Sequence, residues 1–327
     1  MSDLYVPTEA TQRGLLDAGD GNRMYWETSG SPDGVPALIV HGGPGTGSVP
    51  SLRRYLNPDQ YRVISFDQRG CGQSVPHASD PSADMSVNTT EHLLGDMERL
   101  REHLGIERWV LFGGSWGSTL ILAYAERYPR RVSGIVLAGV TTSRRSELEW
   151  LYEGLARFFP REWEQFRAQV PAVFAGDVVA GYARLMEDPD PQVRERAAHA
   201  WVAWEDAVVS MEHQGKPDAY SDRPHHALLA FVRICAHYAA NGAFLEDGVL
   251  LRDAGRLAGI PGVLVHGRLD LGAPLQIAWE LSRAWPDAGL RIVDDSGHTG
   301  SDSMRRELRD ALDAMVQKVV QEVPAGP

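Results

Sequence analysis

The stretch Trp109-Val110-Leu111-Phe112-Gly113-Gly114-Ser115-Trp116-Gly117-Ser118, running on into Thr119-Leu120-Ile121-Leu122-Ala123-Tyr124-Ala125, decides how the chain is read. An apolar run of strand type leads into G-x-S-x-G, and a helix-like run follows. Strand, G-x-S-x-G and helix together predict a nucleophile elbow. This is a sharp turn that holds its serine in a strained backbone conformation at the top of a sheet. Side chains at 113 and 117 would collide in such a turn, and both positions are glycine. The pattern therefore predicts an accessible, nucleophilic hydroxyl on Ser115. The plain alternative is a glycine-rich turn around a buried serine.

A second constellation weighs against that alternative. Ala37-Leu38-Ile39-Val40 reads as a buried strand and runs directly into His41-Gly42-Gly43-Pro44-Gly45. Acyl transfer needs donors aimed at the oxygen that becomes negative in the tetrahedral intermediate. A glycine loop after an early strand supplies one backbone N–H, and the residue after the nucleophile supplies the other. These are assigned to Gly43 and Trp116. The HGGPG loop lacks the Lys-Ser/Thr ending of a phosphate-binding loop.

The remaining partners must follow the serine in the order acid, then histidine. Gly262-Val263-Leu264-Val265-His266-Gly267 reads as a strand ending in Arg268-Leu269-Asp270. Gly289-Leu290-Arg291-Ile292-Val293-Asp294 reads as the next, leading to Asp295-Ser296-Gly297-His298. Asp270 and His298 each follow the carboxyl end of a strand, where a parallel sheet places its chemistry. His298 would take the Ser115 proton, and Asp270 would hold the imidazole. Asp294 and Asp295 lie too close in sequence to His298 to serve instead. His41 is expected to brace the glycine loop, and His266 to be buried structure.

The rest of the chain alternates strands and helices. Gly14–Ala18 and Arg23–Thr28 flank the turn Gly19-Asp20-Gly21-Asn22 as an opening hairpin. Tyr61–Phe66 is a strand ending in Asp67-Gln68-Arg69-Gly70-Cys71-Gly72-Gln73-Ser74. Asn88-Thr89-Thr90 caps a helix from about Glu91 to Leu104, whose apolar residues Leu93, Leu94, Met97, Leu100 and Leu104 follow a helical stripe. Val132–Gly139 is another buried strand. This rhythm implies an α/β fold with a mostly parallel sheet covered on both faces. From about Thr141 to Gly259 no strand is legible. Helical patterns rich in Trp150, Phe158, Phe159, Trp163, Phe166, Trp201, Trp204 and Phe231 take over, a few of which are expected to wall a pocket. The division expected is a core of residues 1–140 and 260–327 and a helical cap of residues 141–259. A closing helix is expected from Ser303 to Glu322, and a disordered tail at 324–327.

Composition bounds the function. The chain has 327 residues, 43% of them hydrophobic and 23% charged, ordinary for a globular protein. A net charge of −12 argues against nucleic-acid or anionic-membrane partners. Two cysteines, Cys71 and Cys235, make no disulfide framework. The opening MSDLYVPTEA has no secretory character, and no apolar run approaches a membrane span. The cytoplasm is the expected compartment. No C-x-x-C, H-E-x-x-H or dinucleotide-type glycine pattern occurs, so no metal and no cofactor are expected.

Taken together, these segments resemble the proline iminopeptidases of the α/β-hydrolase fold. The resemblance runs from about Gly34 to His298. It is carried by HGGPG at 41–45, DQRGCGQS at 67–74, NTTEHLLGDMERLREHLGI at 88–106, GGSWGSTLILAYAERYP at 113–129 and RFFPREWEQF at 157–166, with VHGRLD and SGH around the triad partners. It implies a mostly parallel eight-stranded sheet with helices on both faces and an inserted helical cap. It also implies a serine exopeptidase that releases an N-terminal residue, usually proline, from a small peptide through an acyl-enzyme. The family recognises the substrate amine with cap glutamates. The stretch ending Trp201-Val202-Ala203-Trp204-Glu205 matches its W-x-x-W-E, which makes Glu205 the candidate. Arg233-Ile234-Cys235-Ala236-His237-Tyr238-Ala239 departs from the family's R-I-E-x-H-Y-F: Cys235 stands where a second carboxylate is usual, in contact with substrate. Leu269, Gly272-Ala273 and Thr299-Gly300-Ser301 depart as well. The departures cluster around the pocket and leave a second reading open. That reading is a hydrolase of small acyl substrates (esters, lactones or small amides). A binding protein on a hydrolase scaffold is a third, disfavoured by the intact Ser115, Asp270 and His298.

Overall fold

The alternation of apolar strands with helices resolves into one eight-stranded sheet in the computed structural model, which describes residues 4–209 and 218–322. The strands are β1 (Gln12–Gly19), β2 (Asn22–Gly30), β3 (Val35–Val40), β4 (Tyr61–Phe66), β5 (Trp109–Ser115), β6 (Val132–Val140), β7 (Gly262–Gly267) and β8 (Ala288–Val293), in the spatial order β1-β2-β4-β3-β5-β6-β7-β8. β1 and β2 form the expected hairpin. Asp20 and Gly21 both have positive φ at its tip, as a tight turn between twisted strands requires. β2 pairs antiparallel with β4, and every pairing from β4 through β8 is parallel.

A strand buried on both faces reads as continuous hydrophobicity, and its alternate residues feed two cores. Leu38 and Val40 of β3, with Leu111 of β5 and Leu137 of β6, pack on one side against α1 (Thr90–His103), α2 (Trp116–Arg127) and α9 (Leu275–Ala284). Ala37, Ile39, Val110, Phe112 and Val136 point the other way, onto α10 (Asp302–Glu322). α1 is capped by Thr89, whose hydroxyl accepts the His92 N–H, and it buries Leu93, Leu94, Met97 and Leu100. α2 is buried at every position except Arg127, because sheet, α1 and the residues before β7 enclose it.

Between β6 and β7 the described residues contain helices and no strand. They are α3 (Arg145–Tyr152), α4 (Pro160–Arg167), α5 (Val178–Met186), α6 (Pro191–Val209), α7 (His225–Ala240) and the short α8 (Val249–Arg252), with 3-10 turns between them. These helices bury a core of their own, in which Tyr152, Phe166, Tyr182, Trp201 and Trp204 interlock. α7 is bolted to the sheet-bearing part by Arg233. Its guanidinium donates to the carbonyls of Ala78, Asp80, Pro81 and Ala83 and to both oxygens of Glu187. Residues 324–327, expected to be disordered, lie outside the described residues. No single described helix is long and apolar enough to cross a membrane.

Candidate active site

β5 ends on Ser115, which has φ 55° and ψ −129°, and α2 begins at the next residue. This is a left-handed conformation for a residue with a side chain, held by the packed strand on one side and the buried helix on the other. The two glycines are needed for close approach. A Cβ on Gly113 or on Gly117 would run into the carbonyl oxygen of Val40, so the turn closes against β3 only without one. Ser115 occupies the N-cap position but makes no capping hydrogen bond. Its hydroxyl is thus kept out of the helix. The positive end of the α2 dipole lies beneath it.

A cavity of about 110 Å³ lies over this turn, and Gly43, Ser115, Trp116, Glu205, Cys235 and His298 all contribute to its wall. Asp270 lies behind His298, its carboxylate enclosed. His298 Nδ1 and Asp270 Oδ2 are 2.8 Å apart, and Asp270 Oδ1 accepts the Ala273 N–H at 2.8 Å. Burial alone would raise the Asp270 carboxyl. The His298 charge and hydrogen bond, His266 and the Ala273 N–H outweigh it and hold the group below the usual carboxylate range. Asp294 instead pairs with Arg268, and Asp295 with Ser301 and Ser303, away from the imidazole.

The glycine loop is braced as expected. His41 is buried, and burial lowers its pKa, so the ring is neutral. Its Nε2 accepts the Gln68 N–H at 3.1 Å, which leaves the proton on Nδ1, 3.2 Å from the Gly42 carbonyl oxygen. The Gln68 amide donates to the His41 carbonyl at 3.0 Å and accepts from Trp116 Nε1 at 2.9 Å. One glutamine therefore ties together the loop bearing Gly43 and the residue bearing the other candidate N–H. His266 is structural as well. Its Nδ1 accepts from Val140 N–H at 3.1 Å, and its Nε2 donates to the Ala273 carbonyl at 2.7 Å.

Glu205 is the buried carboxylate of the cavity. Trp201, one turn earlier on α6, donates Nε1 to Oε1 at 2.8 Å, and Tyr152 donates its hydroxyl to the same oxygen at 2.9 Å. Both bonds fall on Oε1, which leaves Oε2 for the cavity. Burial pushes the Glu205 carboxyl up to about 7, despite those two hydrogen bonds and the charge of Arg223. Cys235 donates its thiol to the Pro44 carbonyl at 3.3 Å, and burial raises its pKa well above the usual value, so the thiol is neutral. A second carboxylate, Glu147, reaches the cavity from α3. Its oxygens are taken by Thr142, the Ser143 N–H and Arg144.

The pocket walls differ from expectation. None of the tryptophans and phenylalanines singled out between residues 141 and 259 lines the cavity; its aromatic walls are Trp116, Tyr152, Tyr220 and Tyr238. Phe166, Trp201, Trp204 and Phe231 pack into the core among α3–α7, Trp150, Phe159 and Trp163 lie partly buried against it, and Phe158 is exposed. Tyrosine can face a polar cavity while its ring packs behind. Sequence spacing carried no signal for these tyrosines. Outside the cavity, Glu195, His199 and His225 bring metal-capable atoms within 4.8 Å of one another on the exposed surface.

Comparison with known proteins identifies the family. Residues 36–303 match the family described as alpha/beta hydrolase fold. A probable proline iminopeptidase of Streptomyces coelicolor is 49% identical over 315 residues, covering 95% of this chain and 97% of its own. The chain belongs to the proline iminopeptidase family. The proline iminopeptidase of Xylella fastidiosa strain Temecula1 is 46% identical over 91% of this chain and 94% of its own. A thermophilic esterase from Thermogutta terrifontis superposes with a TM-score of 0.64 over 94% of this chain and 99% of its own, at 20% identity, a likeness of fold alone. As a member of the proline iminopeptidase family the protein is an enzyme, a serine hydrolase of the aminopeptidase kind.

Proposed function

We propose that Ser115, His298 and Asp270 form a catalytic triad that removes an N-terminal proline, or a similar small residue, from small peptides. The observation that carries this reading is the His298–Asp270 pair, 2.8 Å apart, opening onto a cavity that also holds the strained Ser115 and the buried Glu205. Ser115 Oγ attacks the substrate carbonyl carbon while His298 takes its proton. The backbone N–H groups of Gly43 and Trp116 hold the resulting oxyanion. His298 then gives the proton to the leaving amine as the C–N bond breaks, which leaves the acyl group on Ser115. Water attacks in turn, with His298 again as base, and frees the amino acid. Asp270 stays ionised throughout, fixing the imidazole tautomer and stabilising the imidazolium.

Glu205 supplies the exopeptidase character. A substrate ammonium beside a buried carboxylate lets each charge be tolerated where neither is alone. The cavity, about 110 Å³, compares with the roughly 150 Å³ of an engineered apolar cavity that admits benzene, so one five-membered ring suits it. Residues 141–259 act as the cap that brings Glu205 over Ser115. Two buried thiols and no disulfide suit the reducing cytoplasm, where we place the enzyme.

One observation favours a different acyl group: Cys235 offers the amine a neutral thiol rather than a second carboxylate. A panel of proline and alanine arylamides against neutral acyl esters decides between the two. Turnover of the proline arylamide is expected ahead of the alanine one; activity confined to the esters would overturn the aminopeptidase reading in favour of an esterase or lactonase.

A further inference from the structure

Ser115 borders two cavities. The second, about 880 Å³ and open to solvent, shares Gly43, Ser115, Tyr220 and His298 with the first, but Glu205 does not line it. Its charged lining is Arg54, Arg223, Arg305 and Asp302, three cations against one anion, on a chain whose net charge is −12. The surplus is therefore local. Two of the arginines are engaged: Arg54 Nε donates to the Tyr5 carbonyl at 3.0 Å, and Arg305 pairs with Asp302.

Arg223 is different. Its guanidinium carbon stands 4.2 Å from the centroid of Phe231 and 5.6 Å from that of Tyr220; its charge reaches the Glu205 carboxyl, but it closes no ion pair among the described residues. The two rings are themselves stacked, 5.3 Å apart at 13°. Behind them the oxyanion loop is close, since a Cβ on Gly43 would meet the Phe231 ring at 2.8 Å. A guanidinium fixed by its face on an aromatic ring keeps its N–H edges free, the geometry that grips a carboxylate with two hydrogen bonds. Peptide geometry sets the reach. One residue spans at most about 3.3–3.6 Å, so the free carboxylate of a dipeptide lies about one residue beyond the carbonyl that Ser115 attacks. Longer peptides carry it further out.

We propose that this second cavity is a leaving-group subsite in which Arg223 binds the free α-carboxylate of dipeptides and other very short peptides. The inference rests on the aminopeptidase reading above. With Glu205 lining one cavity, Arg223 the other and Ser115 both, the site is complementary to a zwitterion that reaches from one cavity into the other across the bond to be cut.

The test compares kcat/KM for prolyl-alanine, prolyl-alanine amide and a proline arylamide in the parent enzyme, in Arg223→Met and in Arg223→Lys. The parent is expected to favour the free dipeptide over its amide by about tenfold to a hundredfold, the range for a charge-assisted contact. The difference should fall in KM and shrink with added salt. The dipeptide-to-amide ratio should collapse toward one in Arg223→Met and return in part in Arg223→Lys. A parent ratio near one overturns the inference and leaves the aminopeptidase reading standing. So does a ratio that survives Arg223→Met while all three substrates decline together, which marks Arg223 as structural. Failure of the parent to turn over any of the three overturns the aminopeptidase reading itself, and this inference with it.

Discussion

Glu205 has a buried carboxyl pushed up to about 7, with one oxygen bonded to Tyr152 and Trp201 and the other left for the cavity. An ammonium ligand needs that group ionised. For amine-bearing substrates kcat/KM should therefore climb as pH passes through about 7. It should decline above about 8, where an α-amino group loses its proton. Neutral esters have no ammonium for that carboxylate to hold, and comparing the two profiles isolates its contribution. Glu205→Gln should cost about 1.5–3 kcal/mol, tenfold to a hundredfold, on proline arylamide and far less on an ester; equal losses on both would remove Glu205 from amine recognition. At this scale the sequence was legible wherever chemistry demands a residue type at a set distance from a strand end, as for Ser115, Asp270 and His298. It was silent on Tyr152, Tyr220, Tyr238 and Arg223, which come together only when α3, the 218–223 turn and α7 pack. No local spacing encodes that packing.

The elbow is a property of three elements at once. β5 delivers the serine, α2 removes the chain from the sheet, and β3 lies so close that Val40 leaves no room for a side chain at 113 or 117. Gly117→Ala should therefore strain the turn by about 1–3 kcal/mol, as overpacking in a closed site does. It should also lower kcat more than it raises KM, because Ser115 is displaced from the imidazole. Thermal denaturation with steady-state kinetics checks both; a substitution neutral in each would mean the strand and helix can part more readily than their packing indicates. Strand periodicity, the Thr89 cap and the hairpin turn made most elements readable, since each depends on local chemistry. The apolar pattern of α3–α7 said only that helices were present. Their mutual packing, and the Arg233 clamp that seats α7, depend on contacts far apart in sequence.

Across the molecule, a buried group far from the cavity sets part of the response to pH. Burial, with the nearby charge of Asp253, pushes the Glu126 carboxyl up to about 8, and its Oε1 has no hydrogen-bond partner. A carboxyl whose folded-state pKa exceeds its unfolded value holds its proton more tightly in the fold. Its contribution is fully present below the unfolded value of about 4.3 and drains away as pH rises toward about 8. Glu126→Gln, which cannot ionise, should melt at a temperature whose advantage over the parent grows steadily between pH 5 and pH 8. A constant offset across that range would show that Glu126 is not titrating in the fold. The α/β class followed from strand–helix rhythm, and the eight-stranded count from the family resemblance. The zwitterionic balance of the two cavities did not, because a net charge of −12 hides where the arginines gather.

Active-site labelling asks whether acyl transfer runs through Ser115. The parent enzyme, treated with a fluorophosphonate and digested, should carry a single adduct on the peptide containing Ser115 and lose its hydrolysis of proline arylamide in proportion. Ser115→Ala should take no label and show no turnover while melting at the parent's temperature. A label on another residue, or arylamide hydrolysis that persists in a folded Ser115→Ala, would contradict the account.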